Sequence, residues 1–194
     1  MPLKKLNPTT PARRQMTIAD FSGLSKKQPE KRLTSGKKSI SGRSRSGRIT
    51  IRRRGGGHKR NYRPIDFSRL DKAGVPGRVA AIEYDPNRTA YIALVHYDDG
   101  DKRYILAADG MQVDDPVVCA ERTKVKRGNR MELQHIPQGY KIYNIQLQLG
   151  RRGSIVRSAG TSATLIGFDE TYALLQLPSG EVRRVHKRCH ATIG

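Results

Sequence analysis

The chain has 194 residues, 36% of them hydrophobic and none Trp, and its 38 Lys and Arg against 17 Asp and Glu give a formal net charge of +21. That length permits one large or two small domains. No apolar stretch approaches the ~20 residues needed to span a bilayer, and Met1-Pro2-Leu3-Lys4-Lys5 opens no apolar signal core, so we expect neither an integral membrane protein nor classical export.

The charge divides the chain. Residues 1–63 hold 19 Lys and Arg against two acids, Asp20 and Glu30, and only 14 apolar residues. Residues 64–194 hold 19 basic against 15 acidic residues, with near-ordinary apolar content. The first part cannot bury enough apolar surface to offset chain entropy by itself. It is expected to be extended until it meets a polyanion, with only Met16 to Leu24 able to dock as a small turn. The candidate partners are nucleic acid, an anionic membrane surface or acidic proteins. A membrane-bound helix needs an apolar face beside the basic one, and Gly36 to Arg48 offers only Ile40. Arg dominates from position 43 onward, and its planar fork binds phosphate bidentately and stacks on bases. Nucleic acid is the favoured partner.

Along the chain, residues 1–46 form the arm. Arg48-Ile49-Thr50-Ile51-Arg52 then alternates basic and β-branched residues, a pattern that predicts a strand with one buried and one charged face. Regular strand signals follow at Arg78 to Tyr84, Ala90 to Tyr97 and Lys102 to Ala107, with turns at Asp85-Pro86-Asn87-Arg88 and Asp98-Asp99-Gly100-Asp101. Val117-Val118-Cys119 is a short strand, and residues 120–127 are a polar boundary. In the second unit Ile145, Leu147 and Leu149 alternate with Gln146 and Gln148. Strands are expected at Thr164 to Phe168, Thr171 to Leu177 and Val182 to His186. Short strands at such spacing, without helical periodicity, predict small β-barrels or sandwiches.

The chemistry-bearing patterns are few. Gly55-Gly56-Gly57-His58-Lys59 lacks the spacing of a P-loop; contiguous glycines between cations suit a backbone that approaches RNA closely, or else a hinge. His186, Cys189 and His190 have no carboxylate beside them to complete a metal site. Cys119 has the character of a core residue, and two cysteines 70 positions apart build no disulfide scaffold. We expect no cofactor, no metal and no enzymatic activity. Arg151-Arg152-Gly153 and Arg157 to Ala163 combine Arg, Gly and small hydroxyl residues suited to phosphate and sugar, and with the arm they suggest one continuous RNA track.

Several long motifs resemble the universal "L-two" family of bacterial large-subunit ribosomal proteins. They are Gly47 to Arg52 with Arg54 to Arg60, Tyr62 and Arg63; Ala80 to Arg88; Asp98 to Ile105; Ala159 to Ala163; Leu177 to Arg183; and Cys189 to Gly194. Asn7 to Arg14 also looks like that family's opening, which speaks against a transit peptide. The resemblance implies an all-β chain with three parts: a basic extension (1–46), an OB-type RNA-binding barrel (47–122) and an SH3-like barrel (123–194). It implies a primary rRNA binder that supports subunit association, tRNA binding and peptidyl-transferase centre formation. The expected setting is a cytoplasmic rather than an organellar ribosome, with large-subunit rRNA and other ribosomal components as partners, no membrane contact and no homo-oligomer. The residues expected on RNA are Arg43, Arg45, Arg48, Arg52, Arg53, Arg54, Gly55, Gly56, Gly57, His58, Lys59, Arg60, Tyr62 and Arg63 in the first part. In the body they are Arg88, Arg151, Arg152, Arg157, Ser158, Gly160, Thr161, Ser162 and Arg183. The family's Gly-, Arg- and His-rich tail has no counterpart before Gly194. The sequence is then either partial or naturally shortened, and no role for that tail's histidine is carried over.

Overall fold

The structure, a computed structural model, describes residues 3–26, 28–37 and 41–194, so Ile40 of the arm lies outside the described residues. The fold is all-β. Strands β1 (Leu3–Lys5) and β2 (Thr17–Ala19) pair with each other, as do β3 (Ser35–Gly36) and β4 (Asn61–Tyr62). A four-stranded antiparallel sheet contains β5 (Gly77–Glu83), β6 (Ile92–Tyr97), β7 (Lys102–Leu106) and β8 (Pro116–Val117), ordered β7-β6-β5-β8. A six-stranded sheet contains β9 (Arg130–Glu132), β10 (Lys141–Tyr143), β11 (Ala163–Asp169), β12 (Tyr172–Gln176), β13 (Val182–His186) and β14 (His190–Ile193), ordered β13-β12-β11-β10-β14-β9. This is an OB-type barrel followed by an SH3-like barrel.

Strand β5 alternates buried and less buried residues, as a strand with one core face should. Its partner β6 is buried almost throughout, because both faces are covered. One face joins Val79, Ala93, Val95, Tyr97 and Ile105. The other joins Ala81, Leu94 and Tyr104, and is completed by Leu33 and Ile65. Leu33 comes from the basic arm. The arm therefore touches the barrel: the Ser25 amide donates to Ile82 O at 2.8 Å, the Ile82 amide to Ser25 Oγ at 3.2 Å, and the Glu30 amide to Tyr104 Oη at 3.1 Å. Its few apolar residues close one face of the first barrel. Met131, Leu133, Ile142, Leu165, Leu175 and Val185 lead the core of the second barrel.

One expected strand is corrected, and one alternating run pairs at a single residue. Arg48 to Arg52 is not a strand with a buried face: Ile49 and Ile51 are 64% and 56% exposed. The Gly42 carbonyl takes both the Thr50 and the Ile51 amides, at 2.8 and 3.2 Å, which turns the chain instead of letting it pair along a sheet. Ile145 to Leu149 holds only one bridge, Ile145 to Ile155. Ile145 is buried there but Leu149 is exposed, because the chain leaves the core at the turn that follows.

The two barrels meet through polar groups with little access to water. Arg69 donates from Nη1 to Gly128 O at 2.8 Å, Asn144 from Nδ2 to Phe67 O at 3.2 Å, and Tyr143 from Oη to Leu106 O at 3.1 Å. Arg130 of β9 is fully buried and donates from Nη1 to Asn144 O at 2.7 Å and Thr192 Oγ1 at 3.2 Å. Burial, with the Arg69 charge adding to it, pushes the Arg130 guanidinium down to about 10.

His190 opens β14 in the same region. Burial, then the Arg130 charge, pushes its imidazole down from 6.5 to about 4. The folded state thus resists a proton that the unfolded chain accepts, so stability is lost as pH falls from about 6.5 towards 4 and levels off below. Equilibrium unfolding is expected to lose roughly 1–2 kcal/mol between pH 7 and pH 5 from this group. His190→Gln should remove that share of the pH dependence; an unchanged pH profile in the variant would contradict the assignment.

Candidate nucleic-acid interface

Between β3 and β4, residues 41–60 form a loop with no strand of its own. A small hairpin begins it: Arg43 bridges Ile49, the Ser44 amide donates to Arg48 O at 2.8 Å, and Arg43 Nη1 donates to Gly47 O at 2.9 Å. Gly42 is required at its base, since φ is +69° and a Cβ there would collide with the Ile51 carbonyl. The loop displays Arg43, Arg45, Arg48, Arg52, Arg53, Arg54, His58, Lys59 and Arg60, all exposed. Among the described residues none of these side chains pairs with a carboxylate. Arg60 is anchored, donating to Pro86 O at 2.9 Å. Gly55, Gly56 and Gly57 are exposed in their midst. Gly56 has φ of +72°, whereas Gly57 lies outside the left-handed region, and a Cβ on either would meet nothing within 4 Å. Tyr62 of β4 is exposed next to the loop.

Arg63 and Arg88 have structural duties that the sequence reading missed. Arg63 donates from Nη1 to Tyr84 O at 2.5 Å and lies 3.3 Å from the buried Glu83 carboxylate, which also accepts from Tyr104 Oη at 3.0 Å. Arg88 donates from Nε to Asp85 Oδ2 at 2.6 Å. Burial alone would raise the Asp85 carboxyl, but bonds from Arg88 and Asn87 outweigh it and hold it below the ordinary range. The spacing Asp85-x-x-Arg88 carried the signal for that pair.

The second group of expected residues lies at the junction. The Arg88 and Arg157 guanidiniums lie over the Phe67 ring, 5.7 and 4.6 Å from its centroid. Thr161 closes a turn by donating from Oγ1 to Ser158 O at 2.7 Å, and the Ala159 amide donates to Thr89 Oγ1 at 3.2 Å across the barrels. Arg157 to Ser162 wall one side of a cleft of about 480 Å³. Asp20 and Leu24 of the arm, Tyr91 and Met111 of the first barrel, and Lys141 of β10 line the rest. Arg151 and Arg152 are exposed in the turn after Leu149, and Arg183 is exposed on the edge strand β13. Among the described residues no hydrogen bond or ion pair ties those three to the basic loop. Nor do the described residues contain a group of three His, Cys, Asp or Glu side chains able to hold a metal, or a helix long and apolar enough to cross a membrane.

Two small barrels carrying a loop of unpaired cations, with almost no acidic residue in the first 63, define a nucleic-acid-binding scaffold. Comparison with protein families agrees. Residues 30–119 match the model for "Ribosomal Proteins L2, RNA binding N-terminal domain", and residues 126–194 the model for "Ribosomal Proteins L2, C-terminal domain". The chain belongs to the ribosomal protein L2 family, and is a structural, RNA-binding constituent of the large ribosomal subunit. The first match begins at Glu30, the residue whose amide bonds Tyr104 of the barrel.

Proposed function

We propose that the protein is a primary binder of large-subunit rRNA in a cytoplasmic ribosome, acting as a single copy to support subunit association, tRNA binding and formation of the peptidyl-transferase centre. The observation that carries this reading is the loop of residues 41–60, whose exposed cations lack carboxylate partners and so are free to exchange counterions for phosphates. In this reading the loop, Tyr62 and the turn Arg157 to Ser162 lie along one RNA track, with Arg151, Arg152 and Arg183 as outlying phosphate contacts. In this reading Arg63 and Arg88 serve RNA binding by holding the loop's base and the junction in shape. Co-sedimentation through a high-salt wash tests the assignment. Retention on large subunits is expected; recovery only in the ribosome-free fraction would instead indicate an RNA-binding regulator acting off the ribosome.

The glycines give a sharper prediction. Gly57 has open space and needs no left-handed backbone, so in the free protein Gly57→Ala costs almost nothing. On RNA, a Cβ between Arg54 and His58 intrudes on the surface that the flanking cations draw close. The expected result is an rRNA affinity roughly 5–10-fold lower, equivalent to about 1–1.4 kcal/mol, with an unchanged unfolding midpoint. Unchanged affinity would mark the glycines as a hinge.

A further inference from the structure

Two aromatic rings stand half in water beside the basic loop and have no part in the reading above. Phe21 and Tyr84 are each 51% exposed. Their position is built. Asp20 accepts the Ser22 amide at 2.9 Å and the Ser22 hydroxyl at 2.8 Å, and the Leu24 amide donates to Phe21 O at 3.1 Å, which closes a turn with Phe21 at its head. The reciprocal bonds between Ser25 and Ile82 then clamp that turn against β5. Phe21 thereby meets Tyr84, the residue after β5, edge to face at 5.5 Å and 71°, with Tyr91 at 6.4 Å behind it. Two guanidiniums are fixed at the same place, Arg63 on Tyr84 O and Arg60 on Pro86 O. The clamp already pins the arm, so its attachment does not require two large rings left in water.

An exposed aromatic face next to anchored cations has the chemistry of a stacking site for an unpaired base. The ring offers a sequence-tolerant π-face, and the cations hold the flanking phosphates. We propose that Phe21 and Tyr84 form a ledge on which one unpaired nucleobase of the bound RNA stacks, with Arg60 meeting the adjoining phosphate. This rests on the RNA-binding reading above.

The test uses the full chain and a 12-nucleotide single-stranded RNA carrying one 2-aminopurine, whose fluorescence is quenched on stacking, alongside a duplex of the same length. Wild-type protein is expected to bind the single strand and quench it. Tyr84→Ala should bind it about tenfold more weakly and lose the quenching. Its salt slope should stay the same, because no phosphate contact is removed, and its duplex affinity should be unaltered. Tyr84→Phe should match wild type. Tyr84→Leu separates stacking from arm attachment, since it keeps an apolar group against Phe21 but offers no π-face: it should resemble Tyr84→Ala. Full affinity and quenching in Tyr84→Ala, or wild-type behaviour in Tyr84→Leu, would overturn the ledge while leaving RNA binding intact. Failure of the wild-type protein to bind either RNA would instead overturn the RNA reading beneath it.

Discussion

Replacing Arg52, Arg53 and Arg54 together by Ala is expected to weaken rRNA binding by about 100-fold at moderate salt and to make the log–log salt dependence shallower by roughly two. The three side chains are exposed, and no hydrogen bond or ion pair among the described residues employs them. Their removal should therefore leave the unfolding midpoint where it was. Each phosphate contact releases condensed counterions and contributes roughly 0.7–0.9 to the slope, so affinity and slope must fall together. Loss of affinity with an unchanged slope would show that these arginines act through shape or stacking; loss of neither would remove them from the interface. Filter binding at several salt concentrations, paired with thermal unfolding, separates these outcomes.

The largest effect on stability is expected at Arg130. Its side chain is fully buried between the barrels, and its Nη1 supplies the donor for Asn144 O and Thr192 Oγ1. Arg130→Ala leaves both acceptors without that donor and opens a cavity, at a cost of about 3 kcal/mol or more. The guanidinium is itself an unfavourable tenant: among the described residues its Nε and Nη2 have no hydrogen-bond partner. Arg130→Met fills much of the volume and removes those donors and the charge. It should lose no more than half as much as Arg130→Ala. Urea unfolding of the two variants checks this, and an Ala variant as stable as wild type would refute the account of the junction.

How far the sequence revealed these features depended on whether a residue's partners are local. The hairpins β5–β6–β7 and β11–β12–β13 were legible because apolar runs of strand length are separated by turn residues such as Asp98-Asp99-Gly100-Asp101 and Pro178-Ser179-Gly180. Strands β9, β10 and β14 were not, since three or four residues cannot display a period. β14 is held instead by distant partners on both sides, β9 and β10. Arg48 to Arg52 misled for the opposite reason: its alternation is regular, but no sheet lies beside it to bury Ile49 and Ile51. Leu33 escaped notice because one apolar residue in a basic arm carries no pattern, yet it completes the cover of β6.

The candidate site follows the same division. Composition alone reveals a run of cations with almost no acids, and the structure leaves those of residues 41–60 exposed. What composition could not show is which arginines are committed elsewhere. Arg63 is tied to Glu83 and Tyr84 some twenty positions away, Arg157 lies against Phe67 of the other barrel, and Arg69 and Arg130 are buried altogether. Phe21 and Tyr84 come together only through the clamp between Ser25 and Ile82.

The measurement that bears most directly on the central claim is the salt dependence of rRNA affinity after the basic loop is removed. Residues 41–59 would be replaced by a short Gly-Ser linker, which leaves intact β3, β4 and the contacts of Ser25, Glu30 and Leu33 with the first barrel. If the loop carries the RNA interface, affinity falls by several orders of magnitude and the salt slope becomes markedly shallower, while the unfolding midpoint stays close to that of the full chain. Affinity and slope equal to those of the intact protein would contradict the claim and move the interface onto the barrels.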